Sequence, residues 1–256
     1  MSLYYNKDDH GGQRPTLSIV EDEPVTTHAL REDVPRSART TVRRRGGRAH
    51  YDTETIDAIL DEGLVAHVAF TSGGQPYTIP MLYARGSEGV YMHGSPLSRL
   101  VGRMTDGIPL CLTVTLIDGL VLARSAFHHS VNYRSVVALG TGYPVRDPDE
   151  KRDALQTIVE RVVPGRSGDV RGPSDAELEA TEVVAMEIVE ASAKIRGGPP
   201  VDAAEDYKLP VWAGELPLRL TADRPKPDRR CTVPIPSYVE RYGRCLLYTS
   251  PSPRDR

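Results

Sequence analysis

The sequence predicts a mainly β protein, an antiparallel barrel of about six strands with a few helices at its flanks. Short runs of strand formers recur between turn signals, as in LVAHVAFT, SGGQ, PYTIPMLYAR, GSEG and VYMHG. No parallel strand-helix-strand rhythm interrupts them, and closing an antiparallel sheet on itself removes its sticky edges.

Residues 1–47 mix Asp, Gly, Pro, Thr and Arg without a sustained apolar period, so a flexible leader, or an arm lying on something else, is expected. The run Arg43, Arg44 and Arg45 is read as a solvated face. In DTETIDAILDEG, Ile56, Ile59 and Leu60 recur at helical spacing and Gly63 follows as a stop. LVAHVAFT alternates, PYTIPMLYAR and VYMHG follow as strands, and SPLSRLVGRMTDG reads as a helix. PLCLTVTLI and LVLARSAFH are β-prone, and Asp118-Gly119 between them predicts a tight hairpin turn. HSVN makes another reversal, and YRSVVALGTGYPV returns as a long strand. Asp147, Pro148 and Glu150 announce a capped helix whose buried stripe is Leu155, Ile158, Val159 and Val162. A second capping box, Ser174 to Glu177, starts a short helix that runs into TEVVAMEIVEASAKIR, and the coil GGPPVDAAEDY leads to a last strand, WAGELPLRL.

From Thr221 onward the chain is proline-rich and aperiodic. The expected division is a leader at 1–47, one domain at 48–220, and a disordered or artefactual tail at 221–256. The closing CLLYTSPSPRDR resembles the translated non-coding end of a reading frame.

The 256 residues, 39% of them hydrophobic, can supply an ordinary core. A net charge of −3 gives no global attraction to nucleic acid or anionic membrane, so anion binding must be local. Cys111, Cys231 and Cys245 form no C-x-x-C pair, and Cys111, inside an apolar run, is expected to be a buried thiol. No apolar stretch approaches the roughly 20 residues that span a bilayer, which makes the cytoplasm the default location. G-x-S-x-G and the P-loop do not occur, and GTGYPV lacks the third glycine of a dinucleotide fingerprint. His128 and His129 are adjacent on a strand end and point to opposite faces, so no metal site is expected.

What remains is a set of polar residues within apolar strands. They are His93, Ser95, Ser98 and Arg99; Arg124, Ser125, His128 and His129; Asn132, Tyr133, Arg134 and Ser135; and Lys194 with Arg196. Half-buried polar groups need partners, and one phosphorylated ligand would serve several at once. The turn HGSPLSR, where a strand hands over to a helix, is where an anion is first expected, because a helix start leaves N–H groups unpaired.

From about Val42 to Leu220 the chain resembles the pyridoxamine 5′-phosphate oxidase-like, FMN-binding split-barrel superfamily, and within it the flavin-nucleotide-binding or 5-nitroimidazole-reductase-like branch. The residues carrying the likeness are GQPYTIPMLYAR, VYMHGSPLSRL, DGLVLARSAFHHSVNYRSVVALGTGYPVRDPDEK, ASAKIRGGPP and LPVWAGELPLRL. The resemblance implies a six-stranded split barrel binding FMN, with Ser95, Ser98 and Arg99 at its phosphate; Leu100 stands where relatives often have lysine. It implies ring contacts from Thr78, Ile79, Pro80 and Met81, and places Asn132, Arg134, Ser135, Lys194 and Trp212 near the cofactor. His93 becomes the candidate for substrate contact or proton transfer. The implied activity passes electrons from NAD(P)H to a small electron-poor acceptor in a homodimer. A non-catalytic flavin carrier or sensor, or a binder of haem or F420 on the same fold, stays open.

Overall fold

Asp52 accepts a hydrogen bond from the Thr55 N–H and starts the first helix, α1 (Thr53–Glu62), whose Ile56, Ile59 and Leu60 are buried as their spacing predicts. This comes from a computed structural model that describes residues 36–87, 89–98, 100–101 and 107–243. Around α1 run β1 (Ala49–His50), β2 (Val65–Ser72), β3 (Gln75–Arg85) and β4 (Gly89–Gly94). Two 15-residue strands follow, β5 (Ile108–Leu122) and β6 (Ser130–Pro144). After α2 (Pro148–Val162) and α3 (Asp175–Ala180) come β7 (Glu182–Glu187), β8 (Glu190–Arg196) and β9 (Gly214–Pro217).

The strands pair in the order β1-β8-β6-β7-β4-β3-β2-β5-β9, and β5 also pairs with β6. That extra pairing closes the ring β6-β7-β4-β3-β2-β5, all antiparallel: the six-stranded barrel the sequence predicts. β7 and β8 continue along one edge of β6, Ala185 opposite Tyr143 and Glu190 opposite Leu139. Their outer partner changes from β4 to β1 between them, and there the barrel splits open. The interior is filled by Val68, Tyr83, Met92, Leu112, Val114, Val136 and their neighbours, and α1 contributes its apolar stripe to the same core.

Asp118-Gly119 does not turn the chain. β5 runs through both residues, with a register irregularity between Ile117 and Gly119, and the reversal comes later, around Ala126–His128. The glycine serves a close approach instead, since a Cβ there would lie 3.0 Å from the Leu216 carbonyl oxygen of β9. SGGQ is the turn that the sequence predicts, and Gly73 and Gly74 make it with left-handed φ of 59° and 79° between β2 and β3. Asp147 caps α2 by accepting from the N–H groups of Asp149 and Glu150, and Ser174 with Glu177 forms the full capping box of α3. On α2, Ala154 and Ile158 are buried, whereas Leu155, Val159 and Val162 are only half-buried.

The helix expected over SPLSRLVGRMTDG falls largely outside the described residues; Leu100 and Val101 within it are buried. The segment from residue 36 lies on the barrel, where Ser37 and Arg39 both donate to the Glu190 carboxylate. Past β9, one turn of helix, α4 (Ser237–Glu240), rests near α2: the Tyr242 hydroxyl donates to the Val162 carbonyl at 2.9 Å.

Gly140 of β6 crosses so close to β7 that any Cβ would overlap the Glu187 backbone carbonyl, whereas Gly168 has nothing within 4 Å. Gly140→Ala is therefore expected to cost about 2 kcal/mol or more and Gly168→Ala less than about 0.5. Denaturant unfolding of both variants checks this, and equal midpoints would refute the close crossing.

Candidate functional site

Alternation along β3 divides its residues between two faces. Tyr77, Ile79 and Met81 pack against the core, while Thr78, Pro80 and Leu82 are exposed on the outside. The four residues expected to contact one ring are thus split: the side chains of Thr78 and Pro80 face outward, those of Ile79 and Met81 inward. β4 pairs only with Tyr83–Arg85, so among the described residues β3 lacks a second strand neighbour around Pro80, where a missing N–H is tolerated.

Cross-strand register extends this outer face into a wall. Pro80 lies opposite His67, His67 opposite Thr113, and Thr113 opposite Val137. Beside that row stand Val65, Leu82 and Ile117, exposed by 43%, 39% and 47%, an apolar surface with no covering element among the described residues. His67 sits in its middle, exposed and without a hydrogen-bond partner among the described residues. Ser135 and Lys194 pair with each other further along, the Ser135 hydroxyl donating to the Lys194 carbonyl at 3.3 Å. The Lys194 ammonium has no ion-pair partner among the described residues.

Asn132 and Arg134 fall on the opposite face of β6. Arg134 gives its guanidinium to two carboxylates, donating to Asp118 at 3.0 and 2.7 Å and to both oxygens of Glu62. Those partners raise its pKa above the ordinary arginine value, against the opposing effect of burial. Asn132 is buried between Arg196, which donates to its carbonyl oxygen, and Glu215, which accepts from its amide at 2.6 Å. Both candidates are therefore engaged within the chain, and their carboxylate partners Glu62, Asp118 and Glu215 escape the sequence reading. The Asp-Gly pair, which predicts a turn, is the signal that the sequence offers at Asp118.

At the exit of β4, Met81, Ser98 and Val101 all lie within 4 Å of where a Gly94 side chain would begin. The Ser98 N–H donates to the Ser95 carbonyl at 2.8 Å, the Leu97 N–H to the Ser95 hydroxyl at 3.2 Å, and the Val101 N–H to the Ser98 hydroxyl at 3.1 Å. Both hydroxyls organise the turn as acceptors and keep a proton to donate to an anion. Arg99 lies outside the described residues. Leu100 is 1% exposed, so the position where relatives often carry lysine is a core position in this chain.

His93 faces a cleft of about 980 Å³ between α2 and the segment Ser167–Glu177. Its Nδ1 is buried without a partner among the described residues, and burial lowers its pKa below the ordinary histidine value. Trp212 is 68% exposed just before β9 rather than part of a core. Cys111, expected to be buried, is half-buried and lines a second groove with Phe70 and Leu110 at the barrel end. His128, Asp202 and Asp206 bring ligand atoms within 4.8 Å of one another, a grouping that chain order concealed. Arg124 already holds Asp202 there, through its backbone N–H at 3.0 Å and its guanidinium at 2.9 Å.

Two outcomes are expected. Arg134→Gln leaves Glu62 and Asp118 facing each other, and should lower unfolding stability by about 1–3 kcal/mol, the half-exposed version of a broken buried pair. Below about pH 6.5 the unfolded chain takes up a proton at His93 that the folded chain resists, so stability falls as pH drops through that window. Arg152, Asp153, Arg171 and Glu177 line the same cleft. In His93→Gln the fall should be shallower, read from denaturant midpoints on either side of that pH; an unchanged slope would contradict the buried neutral imidazole.

Residues 52–195 match the profile of the pyridoxamine 5′-phosphate oxidase family. The flavocytochrome Anf3 from Azotobacter vinelandii is 41% identical, with a TM-score of 0.74 over 79% of this chain and 95% of that one. A FAD and heme binding protein from Mycobacterium smegmatis is 33% identical, with a TM-score of 0.71 over 75% of this chain and 95% of that one. No curated protein matches the chain. A matching profile over more than half its length, on a closed six-stranded split barrel, makes this chain a member of the pyridoxamine 5′-phosphate oxidase family.

Proposed function

We propose that the chain binds a flavin against the open wall of its barrel and passes electrons from a nicotinamide cofactor to a small electron-poor acceptor. The observation that carries this reading is the 41% identity to a flavocytochrome, spanning 95% of that chain. The wall fits such a group. Aliphatic side chains and Pro80 offer a flat apolar surface, and Ser95 and Ser98 keep hydroxyl protons for a phosphate. Arg99 follows them in sequence, Lys194 offers an ammonium with no ion-pair partner among the described residues, and Trp212 offers an exposed ring.

When bound, the isoalloxazine supplies the redox chemistry, and the protein positions it and sets its surroundings. FMN is the form implied by the sequence resemblance; FAD, named for the mycobacterial relative, carries the same ring system with an added nucleotide. A second copy of the chain is the covering we assign to the wall. Exposed Val65, Leu82, Ile117 and Val137 there are surface that a homodimer would bury. A cytoplasmic location supplies NAD(P)H. Haem is a second reading, favoured by the names of both relatives and by His67, an imidazole in the apolar wall with no hydrogen-bond partner among the described residues.

Purified protein should be yellow and release a flavin on heating, whose mass separates FMN from FAD. Ser98→Ala combined with Arg99→Ala should lower flavin content about tenfold or more, as expected for losing charge-assisted phosphate bonds. A colourless protein that takes up neither flavin overturns the reading. Turnover of NAD(P)H separates an enzyme from a carrier, and haem absorbance lost in His67→Ala would support the second reading.

A further inference from the structure

The cleft at His93 has a character the flavin wall does not. Among the described residues lining it, only His93 comes from the barrel; the others come from α2 and the segment Ser167–Glu177. Leu155, Ile158, Val159 and Val170 give it an apolar side. Its two guanidiniums are already matched: Arg152 donates to Asp149 at 3.1 Å and to Asp175 at 2.7 Å, and Arg171 grips both oxygens of Glu177 at 2.6 and 2.7 Å. Asp153 has no cation partner among the described residues. The cleft therefore has no surplus positive charge with which to hold a phosphate or carboxylate.

Burial disfavours the charged form of the imidazole and lowers its pKa, favouring the neutral ring. Its Nδ1 is enclosed with no acceptor nearby, and its Nε2, also without a partner among the described residues, is reached by solvent. An N–H buried without an acceptor is rarer and costlier than an unused lone pair, so we assign the proton to Nε2. His93 then presents a hydrogen-bond donor to the cleft.

We propose that this cleft binds an uncharged, flat, largely apolar ring that carries a hydrogen-bond acceptor, a molecule of the quinone class, with its carbonyl oxygen on His93 Nε2–H. The proposal names the place and class of the acceptor, and in that respect rests on the redox reading above. Binding itself depends only on residues of the cleft.

The test is an equilibrium titration of the purified full chain with a naphthoquinone and with its ring-sulfonated analogue, flavin content being measured in parallel. The neutral quinone should bind and the sulfonate should bind at least about tenfold more weakly. His93→Leu should weaken quinone binding by about tenfold, the loss of one hydrogen bond, and His93→Gln, which keeps a donor, by less. Val159→Trp should fill the cleft and abolish quinone binding while leaving flavin content unchanged. Equal binding of the sulfonate, indifference to His93→Leu, or no quinone binding would each overturn the proposal. A haem spectrum lost in His93→Leu would overturn it too, by making His93 an iron ligand. A yellow protein that ignores the quinone defeats this proposal alone, and a flavin-free protein that binds it defeats only the redox reading.

Discussion

The long β5-β6 ribbon is the constraint on which the rest of the molecule depends. Its pairing from Ile108 opposite Gly142 to Val121 opposite Ser130 joins the two ends of the ring, because β5 also meets β2 and β6 also meets β7. Closure satisfies backbone groups that an open sheet would leave at its edges. Past Ile117 the ribbon leaves the ring, and Arg134 ties its irregular stretch to α1 by holding Asp118 and Glu62 together. β9 then adds itself to β5 at Gly119, where a Cβ would press within 3.0 Å of the Leu216 carbonyl oxygen.

What covers each face of the barrel decides where chemistry can happen. α1 contributes to the core, α2 packs over β4 and β3, and the arm from Ser37 to Arg39 ties down β8 through Glu190. The wall of β3, β2, β5 and β6 is left with aliphatic side chains and His67 in water. Such a surface is unfavourable until something apolar lies on it, at roughly 25 cal/mol per Å². The His93 cleft differs in kind: its walls are built by the chain itself, and its two guanidiniums are already paired.

Local signals that depend on a few adjacent residues were legible. The capping residues Asp147 and Ser174, the turn at Gly73-Gly74, and the buried stripe of α1 are all where the sequence places them. The Asp118-Gly119 pair misled because the same dipeptide suits a tight turn and a bulged strand with a close neighbour. Nothing within ten residues of Gly119 announces β9, which arrives from Gly214 onward. Likewise Trp212 gave no sign of being exposed, and Arg134 gave none of its two carboxylate partners.

By itself the sequence determined where most strand-forming runs lie, where the capped helices α2 and α3 start, and the residue types available for binding. Those follow from periodicity and from backbone preferences set by near neighbours. Only the tertiary structure decided which of those residues face outward together. Alternation sends Thr78 and Ile79, or Arg134 and Ser135, to opposite sides, and register alone brings Pro80, His67, Thr113 and Val137 into one row. Register is fixed by ring closure, a property of contacts between segments dozens of residues apart, and no short stretch of chain contains it.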